Sequence, residues 1–418
     1  MATSKTTSWV RAVLIFFAAS CSDPADPPSD TDEPPPPLPL ISISASSYST
    51  CGTGVDLQAY CWGTGREGQL GAIPPEDCSD VPDEAPCASF PLATGESVAE
   101  VHTGGQHACA LRSTGMVLCW GDGTYGQLGV VPPSSDCSPT STGCAFTPVD
   151  VPLQNPAEIL SAGGSHNCVL DSEGTAFCWG HNQAGRLGTG DQTTRFTPTQ
   201  VMTDLRFIAI AAGGTHTCAV ALDGRAYCWG NNYLGQLGDG TIQAAILPRE
   251  VATDKRFTSV STGIAHTCAI STSGQSYCWG AAYEGQLGTS AALVTCESNP
   301  CAMVPVLVAG QNTFTSLSAG TSTCGVAPDG SYCWGAQPTG DTTYVPAPMR
   351  TLGHTGESFT QITVGYDHAC GVTANAVAYC WGSDYEGKLG DGPEASGPMP
   401  VIVRTAHEDG NPSATHTQ

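Results

Sequence analysis

The sequence predicts an all-β protein: a seven-bladed β-propeller with four-stranded blades, closed by a C-terminal strand that joins the first blade. Three observations lead there. A Cys-Trp-Gly triplet recurs seven times, starting at Cys61, Cys119, Cys178, Cys228, Cys278, Cys333 and Cys380, at intervals of 47 to 59 residues. Periods of this length mark propellers or solenoids. Each unit carries about four short strand-like runs, seen best in the fourth at 200–202, 207–211, 217–221 and 225–229. The chain also holds 50 Gly and 31 Pro against 12% charged residues, with no long amphipathic helical pattern. Short apolar runs punctuated by Gly and Pro are the mark of an all-β protein.

Taken in order, residues 1–21 read as an export signal. Lys5 and Arg11 accompany an apolar core at 12–19 that is too short to span a bilayer stably. Ala18, Ala19 and Ser20 then lead to Cys21, in the manner of a bacterial lipoprotein cleavage box, although Ala18 stands where Leu is usual. Cys21 would then carry lipid; ordinary cleavage after Ser20 is the alternative. Residues 22–39 (SDPADPPSDTDEPPPPLP) have almost nothing to bury and read as a disordered tether. The repeats fill 40–406. The first begins at 40–45 without a preceding strand, and 399–403 ends without a following unit. Joining the two would close the ring and remove a free edge. Residues 407–418 are polar and read as a disordered tail.

Twenty-one cysteines point to disulfides outside the reducing cytosol. Zinc would show Cys-x-x-Cys or matching Cys/His pairs, and no Cys-x-x-Cys occurs. Within the units the pairs are Cys51/Cys61, Cys109/Cys119, Cys168/Cys178, Cys218/Cys228, Cys268/Cys278, Cys324/Cys333 and Cys370/Cys380. A three-residue loop such as Leu222-Asp223-Gly224 sets Cys218 opposite Cys228, with Gly supplying the left-handed third position. Gly115, Gly174 and Gly274 stand at the same place. Cys324/Cys333 has one residue fewer, removed from its turn, so its cysteines again face each other. Opposed Cβ atoms lie about 4.5–5.5 Å apart, within reach of a disulfide. Insertions after Gly-Gln-Leu-Gly carry three more pairs, Cys78/Cys87, Cys137/Cys144 and Cys296/Cys301. Ten pairs leave Cys21 over, which favours its lipidation.

The stretch 213–240, GGTHTCAVALDGRAYCWGNNYLGQLGDG, resembles the repeat of the regulator of chromosome condensation family. It has that family's Gly-His strand, turn Gly, Tyr-x-Trp-Gly strand and Gly-Gln-Leu-Gly. The resemblance runs over about 40–404 and implies a seven-bladed propeller. It also implies the family's founding activity, guanine nucleotide exchange on a small GTPase. Export and disulfides argue against that activity, because GTP and its GTPases are cytosolic.

Five His precede the first hairpin Cys by two: His107, His166, His216, His266 and His368, with Ser49 and Ser322 in the other units. Copies one blade apart are too distant to share an ion, so the expectation is a structural His that bonds a neighbouring backbone group, with no metal. The triplet Trp are expected to pack between blades. Recognition is expected in the four residues after each Trp-Gly, which vary while their flanks do not. They are TGRE at 64–67, DGTY at 122–125, HNQA at 181–184, NNYL at 231–234, AAYE at 281–284, AQPT at 336–339 and SDYE at 383–386. Candidate partner-binding residues are Arg66, Glu67, Tyr125, His181, Tyr233, Tyr283, Glu284, Asp384, Tyr385 and Glu386. Tyr-rich loops on a fixed scaffold suit protein contact. The disulfide-bearing insertions form a second candidate surface.

A net charge of −24 disfavours nucleic acid. No nucleophile elbow, His-Glu-x-x-His or phosphate loop occurs, so no catalytic residue and no cofactor is expected. The expected function is that of a non-enzymatic, monomeric protein-binding scaffold, extracellular or at the cell surface, touching membrane only through its lipid. A nucleotide exchange factor and a propeller-type secreted enzyme are the alternatives.

Overall fold

Seven antiparallel sheets follow one another along the chain in the computed structural model, which describes residues 34–74, 76–77, 86–131, 136–138, 141–291, 293–310, 313–336, 344–351, 358–392 and 399–406. Each blade has four strands taken in chain order; the first and fifth add a short outer strand from their insertions, and the second insertion forms a separate two-stranded pair. The fourth blade is typical, with Phe207–Ala212, His216–Ala221, Ala226–Gly230 and Ala245–Glu250. The first blade has Leu40–Ala45, Ser49–Gly54, Gln58–Thr64 and Pro86–Ser97, edged by the short Glu76–Asp77. The described residues contain no α-helix. The only helical turns among them are two of 3-10 type, Gln183–Gly185 and Tyr385–Gly387. The signal, Cys21, nearly all of the tether and the tail 407–418 lie outside the described residues.

Two expectations of layout are corrected. The unit read as 200–202 to 225–229 straddles two blades. Arg195–Gln200 pairs with the third strand of the third blade, Phe177 opposite Gln200 and Cys178 opposite Thr199. After the Gly-Arg-Leu-Gly turn the chain returns to the sheet it has just left. The C-terminal strand also differs. Val401–Ile402 pairs with Cys380 and Tyr379 of the seventh blade, because the first blade already has its own fourth strand.

Closure falls to the other end of the chain. Pro37 bridges Arg404 and Pro39 bridges Val377. Leu38 N–H donates to the Val403 carbonyl at 3.0 Å, and Thr405 N–H to that of Pro36 at 3.0 Å. Leu40 N–H donates to the Ala376 carbonyl, as Phe207 N–H does to that of Gly174 inside the chain. The two ends together therefore mimic an ordinary interblade linker without a covalent bond. Outer strands stay exposed as edges, yet each of the first five carries a proline, Pro91, Pro148, Pro198, Pro248 or Pro305. Proline there blocks edge-to-edge pairing with another chain.

The repeated residues hold blade to blade. In Gly-Gln-Leu-Gly, Leu237 is fully buried, and Gly238 has φ 67° while lying on Trp279 of the next blade. A Cβ there would sit 2.7 Å from the indole Nε1, so both conformation and space demand glycine. The carbonyl of the preceding residue accepts the next blade's indole N–H. Trp62 donates to Lys388, Trp120 to Gln69, Trp179 to Gln127, Trp279 to Gln236 and Trp334 to Gln286, at 2.9–3.0 Å.

Inside each blade the second and third strands are cross-linked. Disulfides join Cys51–Cys61, Cys109–Cys119, Cys168–Cys178, Cys218–Cys228, Cys268–Cys278, Cys324–Cys333 and Cys370–Cys380. In each the cysteines are directly opposed, with Cα atoms 4.0–4.1 Å apart. That spacing belongs to the narrow, non-hydrogen-bonded ladder site. The turns beyond them place Gly224 at φ 81°, but Leu57 and Ala376 take the same left-handed conformation without being glycine. Cys296 pairs with Cys301 in the third insertion. Cys87 and Cys144 are also disulfide-bonded, while Cys78 and the Cys137 side chain lie outside the described residues.

Candidate functional site

The repeat histidines belong to the scaffold, and their bonding differs from the expectation. Each reaches a side chain of the next blade and not a backbone group. His107 Nε2 donates to Asn167 Oδ1 at 2.8 Å. His166, His216, His266 and His368 meet the hydroxyls of Thr217, Thr267, Thr323 and Thr50 at 2.7–2.8 Å. Those hydroxyls donate in turn to the carbonyls of Arg186, Gln236, Gln286 and Lys388 at 2.8–3.0 Å. A hydroxyl has one hydrogen, so each Thr oxygen accepts from the imidazole, which fixes the proton on Nε2. The rings are fully buried, and burial lowers every one of their pKa values, His216 to about 3 and His266 to about 4. They are neutral struts. The described residues hold no group of three potential metal ligands.

These struts stand beneath a ring of short turns linking the first and second strands. The turns lie edge to edge around the axis. Gly105 N–H donates to the Gly164 carbonyl, Gly164 to Gly213 and Gly214 to Gly263, at 3.0–3.1 Å. Ile264 continues to Gly320 and Tyr366 to Ser46, at 3.1 and 3.2 Å. A Cβ on Gly213 would lie 2.7 Å from the Gly263 carbonyl oxygen and 3.0 Å from His216 Cε1, so close approach excludes a side chain.

The variable intervals leave from the same face. Asn231 N–H donates to the Thr215 carbonyl at 3.1 Å, and His181, Ala281 and Ser383 repeat the bond to Ser165, Ala265 and Asp367. The insertions return there too, since Cys87 lies opposite Thr64, Cys144 opposite Asp122 and Cys301 opposite Ala281. The two surfaces kept apart in the sequence reading are therefore one loop face. The opposite face carries the hairpin turns, such as 222–224, and receives the chain at Pro36–Leu40.

Most candidate residues reach this face. Tyr125, Tyr233, Tyr283 and Tyr385 are all exposed. Tyr125 stacks on His181 of the next blade at 4.6 Å, and the Lys388 ammonium lies 5.9 Å from the Tyr385 ring. Glu67 and Glu284 lie half-buried in their turns. Their backbone N–H groups donate to Gln69 and Gln286, which explains the Gln of each motif. Glu386 does not face solvent. Its side chain is 2% exposed, ion-paired to Arg66 of the first blade at 3.2 Å and hydrogen-bonded by the Thr64 hydroxyl. Asp384 accepts the Leu389 N–H at 3.0 Å, and burial pushes its carboxyl up to about 7. Of the sixth interval only Ala336 is described.

Three exposed residues escaped the sequence reading: Tyr48, Ile264 and Tyr366, at 45%, 40% and 59% exposure. All sit in the axial turns; Ile264 and Tyr366 stand where Gly105, Gly164 and Gly214 do, and Tyr48 where Gln106, Ser165 and Thr215 do. The signal was available as a departure from Gly-Gly before the repeat His. Cations on this face are engaged. Arg195 pairs with Asp191 at 2.6 Å and Lys388 with Asp367 at 2.6 Å. Arg186 donates to the Gln183 and Gly214 carbonyls at 3.2 Å, and burial lowers its pKa to about 10. Burial alone would raise Asp367, but the Lys388 ammonium beside it outweighs burial and holds the carboxyl down to about 2.

Contiguous blades tied by Trp and His struts, with one loop face, define a seven-bladed repeat propeller. The family model described as RCC1-like domain matches residues 26–344, and that of the Regulator of chromosome condensation (RCC1) repeat matches 359–388. The chain belongs to the RCC1-like domain family. It is 35% identical over 102 residues to the probable E3 ubiquitin-protein ligase HERC4 of Homo sapiens, covering 24% of this chain and 9% of that protein. It is 32% identical over 143 residues to the ultraviolet-B receptor UVR8 of Arabidopsis thaliana, covering 34% and 29%. The chain thus spans less than a third of the length of these curated relatives. Yeast RCC1 (Prp20), solved bound to Kap60, superposes with a TM-score of 0.66 at 20% identity over 78% of each chain. At that identity the likeness speaks for the fold alone.

Proposed function

We propose that this protein is an exported, non-enzymatic scaffold that binds a protein partner through its loop face. The observation that carries the reading is the set of exposed tyrosines on variable turns above a rigid, repeat-built support. Tyrosine gives large, amphipathic contact at low entropic cost, and repeated struts below free the turns to vary. The disulfide in every blade supports a compartment outside the cytosol, which weighs against nucleotide exchange on a GTPase. Yeast RCC1 (Prp20), which shares this fold, was solved bound to a protein, Kap60.

Attachment through Cys21 completes the reading. The chain enters the propeller at Pro36–Leu40 on the face opposite the loops, so a tether there does not cover the loop face at its point of attachment. Mass spectrometry of the mature N terminus is expected to find lipid on Cys21, and an unmodified Cys21 would remove the anchor. Partner capture tests the loop face. Wild-type protein and a folded Tyr233→Ala/Tyr283→Ala variant are compared as baits on intact cells or secreted proteins. Loss of at least one specific partner from the variant is expected; equal recovery of every partner sinks the proposal.

A further inference from the structure

The loop face is not uniform around its axis. In the second to fourth blades the axial turns present Gly105, Gly164 and Gly214, with only the polar Gln106, Ser165 and Thr215 beside them. Tyr125 in that half has one ring face stacked on His181, and Tyr233 stands exposed without Ile264, Tyr366 or Tyr48 for neighbours in its own turn. From the fifth blade round to the first, the turns present Ile264, Thr321, Tyr366 and Tyr48. Hydrogen bonds from Ile264 to Gly320, Thr321 to Gly365 and Tyr366 to Ser46 make these turns neighbours. Tyr283 and Tyr385 stand behind them on the intervals of the fifth and seventh blades, at 42% and 51% exposure. Tyr366 acts electrostatically on the Tyr283 hydroxyl, as does Glu284, so these groups share one neighbourhood.

Charge narrows the kind of group that fits. Glu284 has no ion-pair partner among the described residues, whereas Arg66, Arg186, Arg195 and Lys388 are each engaged by a carboxylate or by carbonyls. An anionic partner would meet a chain of net charge −24 with no unengaged cation among the described residues of this face. A purely apolar one would leave the Glu284 carboxylate desolvated and unpaired. A guanidinium or ammonium satisfies both constraints. Its charge is attracted to the tyrosine faces and to Glu284, while its methylene stem covers Ile264. Lys388 beside Tyr385 already shows such a contact within the chain.

We propose that the sector from the fifth blade to the first is an off-axis patch, built by Tyr48, Ile264, Tyr283, Glu284 and Tyr366, that seats an arginine or lysine side chain of a protein partner. This rests on the protein-binding reading above and adds the partner's chemistry and the seat's position.

A capped peptide with one arginine between aliphatic residues is the probe, and its citrulline counterpart is the neutral control. Calorimetry with the intact propeller is expected to give about tenfold tighter binding of the arginine peptide. That advantage should shrink between about 50 mM and about 500 mM salt. It should vanish in Tyr283→Ala/Tyr366→Ala, fall several-fold in Glu284→Gln, and persist in Tyr125→Ala/Tyr233→Ala. Near-ultraviolet circular dichroism verifies that each variant is folded. Equal binding of the two peptides, or an equal loss in the Tyr125/Tyr233 variant, overturns the seat. A partner held by the loop face regardless of Tyr283 and Tyr366 also overturns it, while leaving the protein-binding reading intact. Failure of the loop face to hold any partner ends both.

Discussion

Lowering the pH from about 7 to about 5 is expected to weaken the propeller by several kcal/mol, with the urea midpoint falling steeply below about pH 6.5. The cause is the ring of buried neutral histidines. In the unfolded chain each of His107, His166, His216, His266 and His368 takes up a proton near pH 6.5. In the folded chain burial holds all five lower, and Arg186 adds to the depression at His166 and His216. Asp122 and Asp367 work against it at His107 and His368 without reversing it. Depressed folded pKa values mean that the unfolded state binds more protons between the two sets of values. Stability is therefore complete above about pH 6.5 and is lost as pH falls, by up to about 1.4 kcal/mol per pH unit for each histidine. Several acting together exceed the response of any single surface group. The His216→Gln variant should show a shallower slope, since one strut no longer titrates. A midpoint unchanged between about pH 7 and about pH 5 would show that the rings are not held neutral by the fold.

The same struts mark the limit of what could be read from sequence. Blade number, strand content and the cross-strand opposition of the hairpin cysteines were legible because each follows from residues fixed at a constant offset. The His partner was not, because Thr217 or Asn167 lies a full repeat downstream and spacing cannot say which neighbour it faces. Blade phase was hidden for a related reason. A strand such as Arg195–Gln200 sits between two units, and only its pairing with Phe177 and Cys178 assigns it. Closure misled because a strand at the C terminus and an unmatched strand at the N terminus invite pairing. The insertion that precedes Pro86–Ser97 had already supplied the first blade's fourth strand. The intervals after Trp-Gly held Tyr233 and Tyr283 but not Tyr48 or Tyr366, which lie in the axial turns just ahead of the repeat His position. Glu386 was misplaced because the cation that buries it, Arg66, comes from the opposite end of the chain.

The Asp384→Asn variant is expected to be more stable than the wild type at about pH 8 by about 2 kcal/mol, allowing for partial solvent screening. The reason is visible within the chain itself. Asn182 and Asn232 occupy the same place in the third and fourth blades. Each accepts a leucine N–H through Oδ1, from Leu187 at 3.0 Å and Leu237 at 2.9 Å. Each then donates through Nδ2 to Asp191 or Asp239 and to backbone carbonyls, Asp191 and Thr193 in one, Thr241 and Gln243 in the other. Asp384 keeps the first bond, to Leu389 N–H. It has no amide to supply the second set, and Asp391 stands where Asp239 does. Burial and then Asp391 push the carboxyl up to about 7, against the opposing pull of the Leu389 N–H and Lys388. A raised folded pKa means that the folded state binds the extra proton. The stabilising protonated form is fully present below the unfolded value near 4 and is lost as pH rises through about 7, opposite in sign to the histidines. Asparagine restores the donor at every pH. The two midpoints should nearly coincide at about pH 4 and separate steadily up to about pH 8. Coincidence at about pH 8 would mean that the Asp384 carboxylate is accommodated there without penalty, and that its likeness to Asn182 and Asn232 is one of position only.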